Sequence, residues 1–170
     1  MSLTIFIDSR EKARAIKNII AEFDRQGVIY ATNKLYVGDY QSLDNPKLII
    51  DRKQNLTEMC ANVCQDHERF RNELIRAQQM GIKLIILIEH SPQIKSIDDV
   101  AKWQNPRLNK RVWDKEARQW KTVRTNAMTG ETLSKIMRTL ERKYGCEFQF
   151  CDKLHTGKRI IEILGGETNA

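Results

Sequence analysis

The run Lys83-Leu84-Ile85-Ile86-Leu87-Ile88-Glu89 constrains this chain more than any other feature. Its five consecutive branched aliphatic residues leave no polar face, so the segment reads as a strand covered on both sides. A strand of that kind belongs to a sheet packed between two layers of helices. That requirement makes the chain an α/β protein from the outset.

The flanking patterns supply the helices and the other strands. Thr4-Ile5-Phe6-Ile7-Asp8 is a short apolar run ending in an acid, followed by a helical pattern with Ala15, Ile16, Ile19, Ile20 and Phe23 on one face. That helix should stop near Gln26-Gly27. Val28 through Val37 reads as a strand broken at Gly38-Asp39-Tyr40, and Asp44-Asn45-Pro46 is a turn signal before Lys47-Leu48-Ile49-Ile50-Asp51. These two strands are expected to form a hairpin. Helices are predicted over Leu56–Val63, Glu68–Met80, Thr132–Tyr144 and Lys158–Leu164, with a short strand at Glu147–Phe150.

With 170 residues, the chain is sized for one domain, residues 1–170. Periodicity fails only between Ser91 and Thr129, a stretch with Pro92, Pro106 and three tryptophans. Residues 91–129 therefore read as an elaborated loop or small helical insertion within that domain. No apolar run approaches the roughly 20 residues of a membrane helix, and the N-terminus lacks a signal-peptide layout, so no membrane partner is expected and the reading places the chain in the cytoplasm. Cys60/Cys64 and Cys146/Cys151 lack the tight pairing common in zinc sites, and Cys60 and Cys64, in an apolar helical stretch, read as small buried hydrophobes. His67, His90 and His155 are not at metal-ligand spacing either, which leaves His67, just before Arg69-Phe70, as the histidine to watch.

The formal charge of +7 favours a polyanionic partner. Most of it is concentrated: residues 100–129 hold eight Lys or Arg against two acids, a local +6. Lys110, Arg111, Arg118 and Lys121 lie there among Trp113 and Trp120, a mixture suited to phosphate contacts and to stacking on unpaired bases. These six residues are the candidate contacts to the polyanionic partner, for which charge alone does not separate nucleic acid from a membrane surface. The competing reading is that the tryptophans anchor the insertion on the core while the charges are merely solvated.

Chemistry points to the strand ends, where Asp8, Asp39 and Asp51 fall. Asp51 and Lys53 are two residues apart, so in an extended chain they share a face. Phosphodiester hydrolysis needs a hard cation held by a few carboxylates, and a lysine beside the attacking water can orient it or balance charge. Ordinary turn acids are the bland alternative for each residue taken singly.

Taken together, Ile7-Asp8-Ser9-Arg10-Glu11, Val37-Gly38-Asp39-Tyr40 and Ile50-Asp51-Arg52-Lys53 resemble the ordered motifs of the XPF nuclease family. Asp66-His67-Glu68-Arg69-Phe70 followed by Glu73 is similar to that family's helix with an arginine-aromatic pair. The resemblance spans residues 4–90 and 130–165. It implies a restriction-endonuclease-like mixed central sheet flanked by helices, with the basic tryptophan-bearing insertion added. It also implies that Asp39 and Asp51 bind Mg2+, or Mn2+ in its place, that Lys53 serves the attacking water, and that Asp8 and Glu11 complete the acidic cluster. Arg10, Arg52 and Arg69 would support the site, Arg52 by pointing away from the metal to organise the pocket or by contacting phosphate.

Two positions depart from the family pattern. Glutamate usually stands where Asp51 does, and an acid expected shortly after the lysine meets Thr57, with Glu58 one residue later. The family's eukaryotic members also append paired helix-hairpin-helix units, for which a chain ending at Ala170 has no room. The expected function is metal-dependent cleavage of branched or distorted DNA, of the repair and recombination type. The rival readings are a non-catalytic DNA-binding module and a subunit that pairs with itself or with a partner chain.

Overall fold

The structure is a computed structural model and describes residues 2–166. Its strands are β1 (Thr4–Asp8), β2 (Ile29–Asn33), β3 (Tyr40–Ser42), β4 (Leu48–Lys53), β5 (Lys83–His90), β6 (Asn109–Asp114), β7 (Gln119–Arg124) and β8 (Glu147–Asp152). The helices are α1 (Lys17–Arg25), α2 (Leu56–Cys64), α3 (His67–Gln79), α4 (Ile97–Lys102), α5 (Gly130–Tyr144) and α6 (Thr156–Leu164). Six strands form one mixed sheet in the order β2-β1-β3-β4-β5-β8, with β1/β2, β4/β5 and β5/β8 parallel and β3 antiparallel to both its neighbours.

The apolar run from Lys83 to Glu89 lies in β5, and Leu84 through Glu89 are all buried. Leu84, Ile86 and Ile88 point to one side, where they meet Leu56 and Met59 of α2, Phe70 and Leu74 of α3, Val100 of α4 and Leu133 and Met137 of α5. Ile85 and Leu87 point to the other, against Ile19 and Phe23 of α1 and Ile160 and Leu164 of α6. Two cores thus sandwich one sheet, the restriction-endonuclease-like arrangement the motifs implied. None of the helices among the described residues is long and apolar enough to cross a membrane.

Three local expectations give way to tertiary contacts. The strand predicted over Val28–Val37 ends at Asn33, because the Leu35 amide donates to Asp8 Oδ1 at 2.8 Å and the Gly38 amide to Glu73 Oε1 at 2.9 Å. Both amides are captured by side chains from other elements instead of a neighbouring strand. The partner of the returning strand is therefore the three-residue β3, joined to β4 through Asp44-Asn45-Pro46, while β2 lies at the sheet edge beside β1. Finally, the segment 91–129 is neither loop nor purely helical: α4 buries Ile97 and Val100 in the core, and β6 and β7 form a separate two-stranded hairpin.

Candidate active site

The sheet brings the three motifs to one cleft of about 390 Å3, lined by Asp8, Arg10, Glu11, Asp39, Asp51, Arg52, Lys53, Arg69, Phe70 and Glu73 among others. Register explains the centre of it. Tyr40 of β3 pairs with Ile50 of β4, so the preceding Asp39 falls opposite Asp51. The Asp39 amide donates to the Ile50 carbonyl at 2.8 Å and the Arg52 amide to Asp39 Oδ2 at 2.7 Å, which clamps the acid in place. Gly38 makes the approach feasible. At φ +68°, a Cβ there would lie 2.5 Å from Ile49 Cγ2 and 2.9 Å from the Ile50 carbonyl oxygen.

Burial pushes the Asp39 carboxyl well above the ordinary carboxylate range, and the neighbouring negative charges of Asp51 and Glu11 push it further. Glu73 of α3 is raised for similar reasons, burial first and Asp51 second, although the Gly38 amide and Lys53 oppose the shift. Lys53 Nζ lies 2.8 Å from Asp51 Oδ2 and 5.2 Å from the centre of the Phe70 ring. That oxygen has no partner with hydrogen-bond geometry, so the Lys53 contact is an ion pair by distance only. Burial disfavours the ammonium, but Asp51, Asp39 and Glu73 more than offset it, so Lys53 is held charged above its usual value.

Alternation along β4 sends Arg52 to the opposite face. There its buried guanidinium donates to Glu11 at 2.7 Å and to Glu89 at 2.8 Å. Arg52 thus ties the loop after β1 to β5 and stands with its charge matched by two acids. Asp8 is equally committed. It is buried, accepts from the Leu35 amide and from Arg10 Nε at 2.6 Å, and its carboxyl is held below the ordinary range because Arg10 and these amides outweigh the cost of burial. Arg10 and Arg69 are exposed at the cleft rim, and among the described residues no carboxylate pairs with Arg69.

Glu58 reaches the cleft wall, but its Oε2 accepts from the Gln54 amide at 2.7 Å while Asn55 caps α2. It works chiefly as part of a helix start. Glu89 is the member that residue spacing did not single out. Its signal was an acid closing an otherwise apolar run, which in a buried strand requires a cationic partner. The histidines stay outside the cleft: His67 lies against the Cys64 carbonyl, and His90 packs edge-on to Trp103.

No group of three or more His, Cys, Asp or Glu among the described residues is arranged to hold a metal ion by itself. Asp39 and Asp51 nevertheless suit a hard dication, because Mg2+ is commonly held by one or two carboxylates with water and substrate phosphate completing the shell. Two closely opposed carboxylates with one at a raised pKa mark a place where positive charge is wanted.

The candidate DNA contacts lie elsewhere, on the β6–β7 hairpin. Trp113 and Trp120 are 48% and 58% exposed, so they do not anchor the insertion on the core. Trp103 does so, packing partly buried against it. Lys110, Arg111, Arg118 and Lys121 are all exposed, with Arg118 at φ 51° in the turn.

Comparison with known proteins agrees with this fold. The sequence profile of the ERCC4 domain matches residues 7–164. Among solved structures, XPF from Aeropyrum pernix superposes with a TM-score of 0.60 at 15% identity, covering 95% of this chain and 63% of that one. The same protein in complex with DNA gives 0.61 at 15% identity, over 96% and 64% of the two chains. The chain therefore spans somewhat under two thirds of the relative it matches. No curated protein sequence matches it. From the matched profile, with the fold in agreement, the chain belongs to the ERCC4 domain family.

Proposed function

We propose that this chain is a divalent-metal-dependent endonuclease that hydrolyses phosphodiester bonds in branched or distorted DNA. The observation that carries the reading is the opposition of the half-buried Asp39 and the buried Asp51, with the Lys53 ammonium 2.8 Å from Asp51. In this reading Asp39 and Asp51 hold Mg2+ or Mn2+, which when bound neutralises phosphate charge and acidifies a coordinated water.

The chain's own groups account for the rest. Lys53, beside Asp51, would orient the attacking water or stabilise the oxygen on which negative charge develops. Glu73, whose carboxyl is also raised, faces the same pair. Arg69 and Arg10 at the rim are placed to receive the flanking phosphates. Arg52 and Glu11 on the cleft wall, with the buried Glu89 behind them, act as positioning residues. The relative captured with DNA supports DNA as the substrate, and the basic hairpin, a second copy or a partner chain would supply the remaining grip. The four free thiols suit a cytoplasmic setting.

The experiment is incubation with labelled linear, flap, fork and four-way DNAs and Mg2+ or Mn2+, alongside Asp51→Ala and Lys53→Ala. Both variants should bind DNA and lose cleavage on the order of 100-fold or more. Cutting that survives both substitutions sinks the site, whereas tight binding without cutting under either metal makes the chain a DNA-binding module.

A further inference from the structure

The hairpin formed by β6 and β7 has two chemically different faces. Its register pairs Asn109 with Arg124, Arg111 with Thr122 and Trp113 with Trp120. Side chains alternate along each strand, so one face carries Asn109, Arg111, Trp113, Trp120, Thr122 and Arg124. That face holds two indoles and two guanidinium groups and no acid. The other face carries Lys110, Val112, Asp114 and Lys121 with their neighbours, and there Lys121 pairs with Asp114 at 3.1 Å.

From this division we infer that the Trp113–Trp120 face is a stacking platform for an unpaired DNA strand, and that it gives the nuclease its preference for branched over continuous duplex. The inference rests on the nuclease reading above and assigns its substrate feature. The indole rings lie edge to face, centroids 5.6 Å apart, and Arg111 sits 5.7 Å over the Trp120 ring. All six residues of β7 are exposed, so nothing among the described residues covers the platform. Bases in a duplex are stacked on one another and offer no free face, whereas unpaired bases do.

Charge selects a polyanion over an apolar protein partner. Residues 109–124 contain six Lys or Arg and two acids, a net +4; Asp114 follows Trp113 but faces the other side of the hairpin, and Glu116 lies in the turn. An isolated two-stranded hairpin is marginal in water, so the tryptophan pair also holds the hairpin together. The test has to separate that role from binding.

The measurement is tryptophan fluorescence in EDTA with single-stranded oligothymidylate and with a duplex of equal length, using the full chain. Quenching by the single strand is expected. Trp120→Ala should weaken that binding roughly 10- to 100-fold while duplex affinity changes far less. Because this variant can also unfold the hairpin, Arg111→Gln/Arg124→Gln provides the second arm. It keeps the indole pair, whose exciton-coupled circular dichroism reports an intact hairpin, and should still lose single-strand affinity and the preference for flaps in cleavage. Unchanged single-strand affinity in the arginine variant with its exciton signal intact, or in Trp120→Ala, overturns the platform. Quenching by oligothymidylate from a chain that cuts no DNA would leave the platform standing and remove the nuclease reading; cutting without quenching would do the reverse.

Discussion

Arg52 of β4 and Glu89 of β5 close a buried ion pair of 2.8 Å on the face of the sheet opposite Asp51 and Lys53. Glu11 takes the other end of the same guanidinium at 2.7 Å. The loop after β1, β4 and β5 are thereby locked in relative position.

Removing one acid leaves a buried charge short of a partner. Glu89→Ala should cost about 3–5 kcal/mol, which for a chain of this size is a fall in Tm of roughly 10 °C. Glu89→Gln, which keeps an acceptor, should cost less. Thermal denaturation followed by circular dichroism checks both, and a Glu89→Ala protein as stable as the parent refutes the lock.

Asp39 predicts the opposite sign. Its folded-state pKa is raised, so between the ordinary carboxylate value and the raised one the folded chain keeps a proton that the unfolded chain has released. Stability from this group therefore falls as pH rises through that window, and the penalty is fully present above it. Asp39→Asn retains an acceptor for the Arg52 amide and removes the penalty. In EDTA at pH 8 it should melt about 2–4 °C above the parent, with the gap closing toward pH 4, and it should lose any stabilisation by Mg2+.

Gly38→Ala puts a methyl group against the Ile49 side chain and the Ile50 carbonyl at a φ of +68°. The left-handed conformation alone costs about 1–2 kcal/mol, and the backbone contact adds to it. Lower Tm together with lost cleavage is expected, because the displaced segment carries Asp39.

Among the four thiols, Cys60 and Cys146 are buried, and burial pushes Cys60 and Cys151 up to about 11 and Cys146 to about 12. Thiolate is the reactive form. A disulfide reagent at pH 8 should titrate one thiol rapidly in the native chain, the exposed Cys64, and four after denaturation. Cys64→Ser should abolish the fast phase.

Much of the molecule was legible along the chain. The amphipathic helices, β5, and the shared face of Asp51 and Lys53 follow from side-chain direction within one element, which depends only on local backbone geometry. The ordered motifs likewise named Asp39, Asp51 and Lys53 as one group. The tertiary structure alone decided that Asp39 stands opposite Asp51, that Arg52 is matched by both Glu11 and Glu89, that Leu35–Gly38 leaves the strand for carboxylates on other elements, and that 91–129 contains a hairpin with its tryptophans on one face. Each of these joins residues by strand order, register or ion pairing, and such contacts depend on which distant segments pack together and leave no periodic trace within either segment.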